Sequence, residues 1–284
     1  MKKRHDRTPT ALQFFGYRYP PFADTFEIRT PFQSDAEELM LERTIALVRQ
    51  GKSVAVYGEA GTGKSMFVKS ITAQLDSKEF RIAQIPYGGM KPAAILRDLC
   101  DEFDIDATGR KNLLSKMAAD FRRSTDKPFP VIVVDEAHEM QRQSFLDLCS
   151  LLYDARQRTA AAVLILVGQP VLRKTLELDV YAPVKTRLAF LFQMPRLSID
   201  DAKQFINFRL ETAEADPHLF DDEAINCLAA DAKGNRRILM NLAALALEEA
   251  ARRNDKLVTA EIISAITQEY QATGTKGVFG ENTR

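Results

Sequence analysis

The chain has 284 residues, of which 45% are hydrophobic and 27% charged, and its 39 Lys+Arg balance 39 Asp+Glu. That length supports one large domain or two modest ones with a core that stands without staples. Zero net charge excludes a histone-like coat of positive charge but leaves room for a local basic surface. Three scattered cysteines (Cys100, Cys149, Cys227) exclude a disulfide framework or a CxxC clamp and read as buried free thiols, and the three histidines are too dispersed for a zinc site. The start, Met1-Lys2-Lys3-Arg4-His5-Asp6, is not followed by an apolar run of signal-peptide length. No stretch approaches the roughly 20 apolar residues of a membrane helix. The expectation is a soluble cytoplasmic protein that makes no use of a membrane.

In chain order, Ser53-Val54-Ala55-Val56-Tyr57 reads as a strand running into a Gly-rich turn and then a helical pattern from Met66 to Leu75. Phe80 to Ile85 alternates like a second strand, ended by Pro86 and the Gly88-Gly89 turn. Helical patterns follow over Pro92–Phe103 and Leu113–Arg122. Val131-Ile132-Val133-Val134 is a β-branched run bounded by Pro130 and Asp135, and Gln143–Arg156 has helical spacing. Val163 to Val167 repeats the strand signal and stops at Gly168; a shorter candidate covers Ala189 to Met194, before Pro195. Continuous apolar runs of this kind suit strands buried on both faces. Their alternation with helices predicts a doubly wound α/β fold with a five-stranded parallel sheet.

After Pro195 the pattern turns all-helical. Ser198 is placed to cap a helix over Ile199–Glu214, with Asp201 three residues on as a variant capping box. Amphipathic patterns then cover Asp221–Ala232, Arg236–Arg253 and Thr259–Gln271. The reading divides the chain into an N-terminal segment (1–34), an α/β domain (35–195), a small helical lid (196–271) and a Gly/Thr-rich flexible tail (272–284).

Gly58-Glu59-Ala60-Gly61-Thr62-Gly63-Lys64-Ser65 matches the phosphate-binding loop pattern in full, between a strand and a helix as that pattern requires. Its glycines let backbone N–H groups wrap phosphates, and the following helix N-terminus favours negative charge. Lys64 is placed for the β- and γ-phosphates and Ser65 for magnesium. Asp135, ending a buried strand, can hold the magnesium shell. Glu136 beside it can polarise the water that attacks the γ-phosphate. Gln169, after the next strand, is either a γ-phosphate or water contact or an ordinary turn residue. Arg187, before the last strand, is either an arginine finger for a neighbour's site or a surface arginine. Gly234-Asn235-Arg236-Arg237 opens the third helix of the helical part, where an arginine could reach a nucleotide or simply be solvated.

The order of these motifs resembles the AAA+ ATPases, and more narrowly their ExeA-like branch, which includes transposition regulators of the TnsC, TniB and IstB kind. The resemblance covers most of the chain. Phe14-Phe15-Gly16-Tyr17-Arg18-Tyr19-Pro20-Pro21-Phe22 is similar to that branch's N-terminal signature. Asp135-Glu136-Ala137-His138 and Leu166-Val167-Gly168-Gln169-Pro170 stand for its acidic pair and sensor 1. By resemblance Arg187 is the arginine finger. Arg237 is the first choice for sensor 2, Arg236 being the other because the segment is one residue short of the usual Gly-Asn-Pro-Arg-Arg. The stretch through Arg29–Phe32 helps frame adenine. The resemblance implies ATP and Mg2+ as cofactors, slow hydrolysis stimulated by assembly or DNA, and a homo-oligomer, ring or helical filament, of hexamer-like form.

Secretion relatives of this branch carry a membrane span and a wall-binding module after the ATPase, and the chain ends about a dozen residues past its last predicted helix. The expectation is therefore the mobile-element branch. Such a protein assembles on double-stranded DNA without strong sequence preference and recruits a transposase, with a target-selection protein as a further partner. The alternatives are a secretion- or envelope-linked ATPase and a nucleotide-gated loader for another DNA enzyme. Lys91 after Gly88-Gly89, and Arg110 and Lys111 after Gly109, are the candidate DNA contacts, since short basic loops suit phosphate tracking without base reading. The basic start (Lys2, Lys3, Arg4, Arg7) is a lesser candidate.

Overall fold

The computed structural model describes residues 10–26, 28–86, 89–108, 112–122 and 127–272. The chain divides into two compact units, one of residues 35–195 and one joining residues up to 34 to those from 196 onward. It enters as α1 (Ala11–Phe15), closed by a reciprocal Thr10/Gln13 capping box and ended by Gly16 at φ +71°.

The sheet unit opens with α2 (Asp35–Arg49). Asp35, Glu37 and Glu38 occupy its first turn, where the helix dipole favours acids. Met40, Leu41, Ile45 and Val48 form its buried stripe. There follow β1 (Ser53–Tyr57), α3 (Lys64–Gln74), β2 (Phe80–Pro86), α4 (Pro92–Glu102), α5 (Leu113–Arg122), β3 (Phe129–Asp135) and α6 (Arg142–Leu151). A small hairpin, β4 (Tyr153–Asp154) and β5 (Thr159–Ala160), precedes β6 (Val163–Gly168), α7 (Pro170–Glu177), α8 (Ala182–Lys185) and β7 (Leu188–Gln193). Five strands pair in the order β2-β3-β6-β1-β7, every pairing parallel.

Strand periodicity explains the continuous apolar runs. Val54, Val56, Val131, Val133 and Ile165 point to one face and pack with Val68 and Ile71 of α3 and the stripe of α2. Ala55, Ile132, Val134, Leu164 and Leu166 alternate to the other face, against Leu99, Met117 and Phe145 of α4, α5 and α6. The middle of each central strand is therefore apolar on both faces, with polar Ser53 and Asp135 only at strand ends, as a sheet covered on both sides demands.

One predicted element is corrected. The helix expected to run to Arg156 stops at Leu151, and the next residues form the β4–β5 hairpin. Asp154 turns the chain: its Oδ1 accepts the Arg156 N–H at 2.9 Å, and its carbonyl accepts from Arg158, which stands at φ +56°. The helices α1, α2, α7 and α8 are additions to the elements read from sequence.

The helical unit contains α9 (Ile199–Thr212), α10 (Asp222–Ala232), α11 (Arg236–Arg253) and α12 (Ala260–Ala272). Their starts are sealed by side chains. Ser198 and Asp201 form a complete capping box, Asp221 accepts from the Ala224 N–H, and Asn235 Oδ1 accepts from the N–H groups of Arg237 and Ile238. Phe205, Leu210, Leu228, Leu242 and Ile263 build the core, joined by Tyr17 and Phe22 of the N-terminal stretch. Arg209 fastens that stretch: its buried guanidinium donates to the carbonyls of Pro21 at 2.6 Å and Ala23 at 3.2 Å, and lies over the Phe26 ring. Burial pushes its pKa down to about 10, with Asp24 pulling the other way.

Candidate nucleotide site

Because all five strands run parallel, their C-terminal ends open on one edge of the sheet, the edge where α/β folds bind ligands. Pairing of Tyr57 with Gly168 brings the ends of β1 and β6 side by side, and β3 neighbours β6. Gly58, Asp135 and Gln169 therefore converge although more than a hundred residues separate the first from the last.

The loop after β1 is held by close backbone approach. The Gly58 N–H donates to the Gly168 carbonyl at 3.1 Å. A Cβ at Gly58 would lie 2.6 Å from the Cβ of Met194, so no larger residue fits there without displacement. Gly61 and Gly63 take φ of +81° and +100°, and Thr62 Oγ1 donates to the Glu59 carbonyl at 2.9 Å. Gly63 begins α3 without a side-chain cap. Lys64 is buried, and its Nζ donates to the carbonyls of Gly58 at 2.9 Å and Glu59 at 2.8 Å. An uncapped helix start with a lysine folded over a glycine loop is a cradle built for phosphate.

Ser65 Oγ donates to Asp135 Oδ2 at 3.2 Å, and Asp135 Oδ1 accepts the Glu136 N–H at 2.9 Å. A hydroxyl and a carboxylate meeting beside a phosphate loop are hard oxygen donors of the kind Mg2+ takes, so Ser65 and Asp135 fit that ion. Glu136 stands at φ +50°, a left-handed conformation unusual for a non-glycine residue and of the kind kept at functional sites. Its side chain is half exposed at the rim.

Gln169 is the N-cap of α7, half-buried, and its N–H donates to His138 Nδ1 at 3.4 Å. Arg187 is exposed in the turn between α8 and β7, its N–H bonded to the Val184 carbonyl. Its charge reaches Cys149, whose thiol burial pushes up to about 11 while Arg187 pulls it down. In the helical unit the two candidate sensor arginines differ: Arg236 is buried and faces the Phe205 ring at 5.9 Å, whereas Arg237 is exposed. Of the DNA candidates, Lys91 is exposed at the start of α4, while Arg110 and Lys111 lie outside the described residues, as do the basic start and residues 273–284.

Two supporting residues carried no sequence signal of a role, and a third carried only a faint one. Arg173 of α7 donates to the Tyr57 hydroxyl at 3.1 Å, and that hydroxyl donates to Gln193 Oε1 at 3.3 Å, tying β1 to β7 beneath the loop. Met194 backs Gly58. His138 was visible only as the fourth residue of a motif.

A family model described as an AAA domain matches residues 48–176, a span holding the loop, Asp135, Glu136 and Gln169 but neither Arg187 nor the helical unit. Sheet order, phosphate cradle and acidic pair agree with that match: the sheet unit has the α/β architecture and the site parts of an AAA-type ATPase. Among curated proteins the chain is similar to General secretion pathway protein A of Aeromonas hydrophila, 27% identical over 275 residues, covering 92% of this chain and 48% of that protein. The chain thus spans about half the length of that relative. Solved structures of the same fold include Cdc6p from Pyrobaculum aerophilum (TM-score 0.67, 14% identity, 88% of this chain and 70% of that one). Another is Drosophila ORC bound to DNA (TM-score 0.66, 18% identity, 98% of this chain and 71% of that one). Among the described residues no helix is long and apolar enough to cross a membrane.

Proposed function

We propose that this ATPase is a nucleotide-gated switch that assembles with further copies of itself on double-stranded DNA and regulates transposition by recruiting or activating a transposase. The observation that supports the switch is the bonded path from Ser65, next to the lysine of the phosphate loop, through Asp135 to Glu136, which ties phosphate contact to the acid beside it. In this reading the backbone of residues 58–63 and Lys64 hold the triphosphate, and Ser65 and Asp135 hold Mg2+. That ion, when bound, neutralises charge on the β- and γ-oxygens. Glu136 takes a proton from the attacking water, a contribution of about 10²–10⁴ in rate. Gln169 touches the γ-phosphate or that water, exposed Arg187 serves a neighbour's site, and Arg237 acts as sensor 2.

Support for DNA as the surface of assembly comes from the transposition-regulator resemblance and from the fold shared with a DNA-bound ORC. Lys91, Arg110 and Lys111 are the proposed phosphate contacts. A second reading, an ATPase serving secretion, is favoured by the likeness to General secretion pathway protein A over 92% of the chain.

The test uses Glu136→Gln, which keeps shape and removes the base. With ATP and Mg2+ the variant is expected to hydrolyse at least about 100-fold more slowly. It should also be retained on unrelated duplexes longer than the parent. Retention that ignores ATP, or ATP-dependent binding to anionic vesicles in place of DNA, sinks the transposition reading in favour of the secretion one.

A further inference from the structure

His138 is almost completely enclosed, 6% of its side chain being exposed, in the single 3-10 turn Ala137–Glu139 that follows Glu136. Both ring nitrogens face partners. Nε2 lies 3.3 Å from Glu139 Oε1, while Nδ1 lies 3.3 Å from Glu136 Oε2 and also receives the Gln169 N–H at 3.4 Å. Gly168 makes the approach possible: a Cβ there would lie 3.2 Å from the His138 nitrogen of the backbone and 3.3 Å from Nδ1.

These two contacts of Nδ1 need opposite proton placements. Accepting from Gln169 requires a lone pair on Nδ1, with the ring proton on Nε2 facing Glu139. That lone pair then repels the Glu136 carboxylate. Holding Glu136 instead requires a proton on Nδ1, which leaves the Gln169 N–H without its acceptor. One nitrogen serves one partner at a time.

We infer that His138 is a positioning residue that links the orientation of Glu136 to the place of the Gly168–Gln169 loop. Both partners stand at Nδ1 here, and the place of the ring proton decides between them: with Nδ1 unprotonated the Gln169 N–H is kept and the carboxylate is driven off the imidazole toward the strand ends. When the loop moves and Nδ1 is vacated, the ring proton passes through solvent from Nε2 to Nδ1, exposed Glu139 turns away from the bared Nε2, and Nδ1–H donates to Oε2 and parks the base. Loop movement at the end of β6 thereby gates the acid at the end of β3 without either touching the other. This rests on the reading of Glu136 as the base.

The experiment measures kcat and KM for ATP, together with ATP affinity and melting temperature, in His138→Ala, His138→Asn, His138→Gln, Glu136→Gln and the double variant His138→Ala/Glu136→Gln. Loss of orientation is expected to lower kcat about 10- to 100-fold in His138→Ala with KM within about twofold of the parent. Asn places its amide near the position of Nδ1 and is expected to restore most of the rate; Gln reaches only the position of Nε2 and is not. The double variant should turn over no more slowly than Glu136→Gln, because His138 acts through that acid. Losses that add, equal rates in Asn and Gln, or a fall in ATP affinity matching the fall in rate would make His138 structural only. Unchanged turnover in Glu136→Gln would instead remove the base itself, a failure distinct from that of the histidine. Should His138→Ala not fold, the Asn and Gln pair alone decides the question.

Discussion

The two units spend their polar side chains differently. In the sheet unit, Lys64, Ser65, Asp135 and Glu136 cluster at one edge, bonded to one another and to loop carbonyls that a bound phosphate would reorder. In the helical unit, Ser198, Asp221 and Asn235 satisfy helix N-termini, and Arg209 ties down residues 21–23. The first set is arranged for a visitor, the second for the fold. Polar residues of equal burial therefore predict different losses: activity in one unit, stability in the other.

Lys64→Ala should show the largest effect. The phosphates lose their fixed cation, and ATP affinity measured by calorimetry is expected to fall at least about 100-fold, equivalent to roughly 3 kcal/mol. Affinity equal to the parent's would overturn the assignment of the cradle. Arg209→Ala is the counterpart in the helical unit. Two carbonyls lose a charged donor and the Phe26 ring loses its cover, so chemical denaturation should report about 2–4 kcal/mol of lost stability. A variant as stable as the parent would mean that the N-terminal stretch is held by its aromatic residues alone.

Smaller changes sharpen the contrast. Gly58→Ala places a methyl where Met194 already sits and should weaken ATP binding about tenfold, or about 1.4 kcal/mol, with the helical unit's melting unaltered. Asn235→Ala removes the acceptor for two N–H groups at the start of α11 and should cost about 1 kcal/mol of stability, read by thermal melting. If Asn235→Ala instead impaired ATP turnover with no loss of stability, the division between the two kinds of polar residue would fail at that point.

Much of the sheet was legible because strands buried on both faces leave unbroken β-branched runs, as at Val131–Val134 and Val163–Val167. The helix α7 was not, since only Leu172 and Leu176 of its eight residues are buried. In α2 the buried stripe is interrupted by buried Glu37 and Thr44, which blurs its period. The overlong reading of α6 came from Leu151 and Leu152, which continue an apolar pattern while Asp154 already turns the chain. The phosphate loop could be read because its residues are contiguous. His138 and Gln169 are 31 residues apart, and only the parallel pairing of β3 with β6 brings them into contact. A periodicity argument cannot see that. Arg236 and Arg237 were indistinguishable by pattern, and separate only once Phe205 is seen to cover one of them.

Met194, the residue against Gly58, also donates its N–H to the Tyr57 carbonyl at 2.7 Å. It is the penultimate residue of the sheet unit, with only Pro195 before the chain passes into the helical one. The way out of the unit is thus pinned to the first residue of the phosphate loop. A shift of the backbone at Met194 meets Gly58 across a single side chain. Conversely, a phosphate that stiffens the loop stiffens the point from which the following polypeptide departs. Met194 thus holds the end of the sheet unit against the loop through a contact too tight to admit one more methyl group.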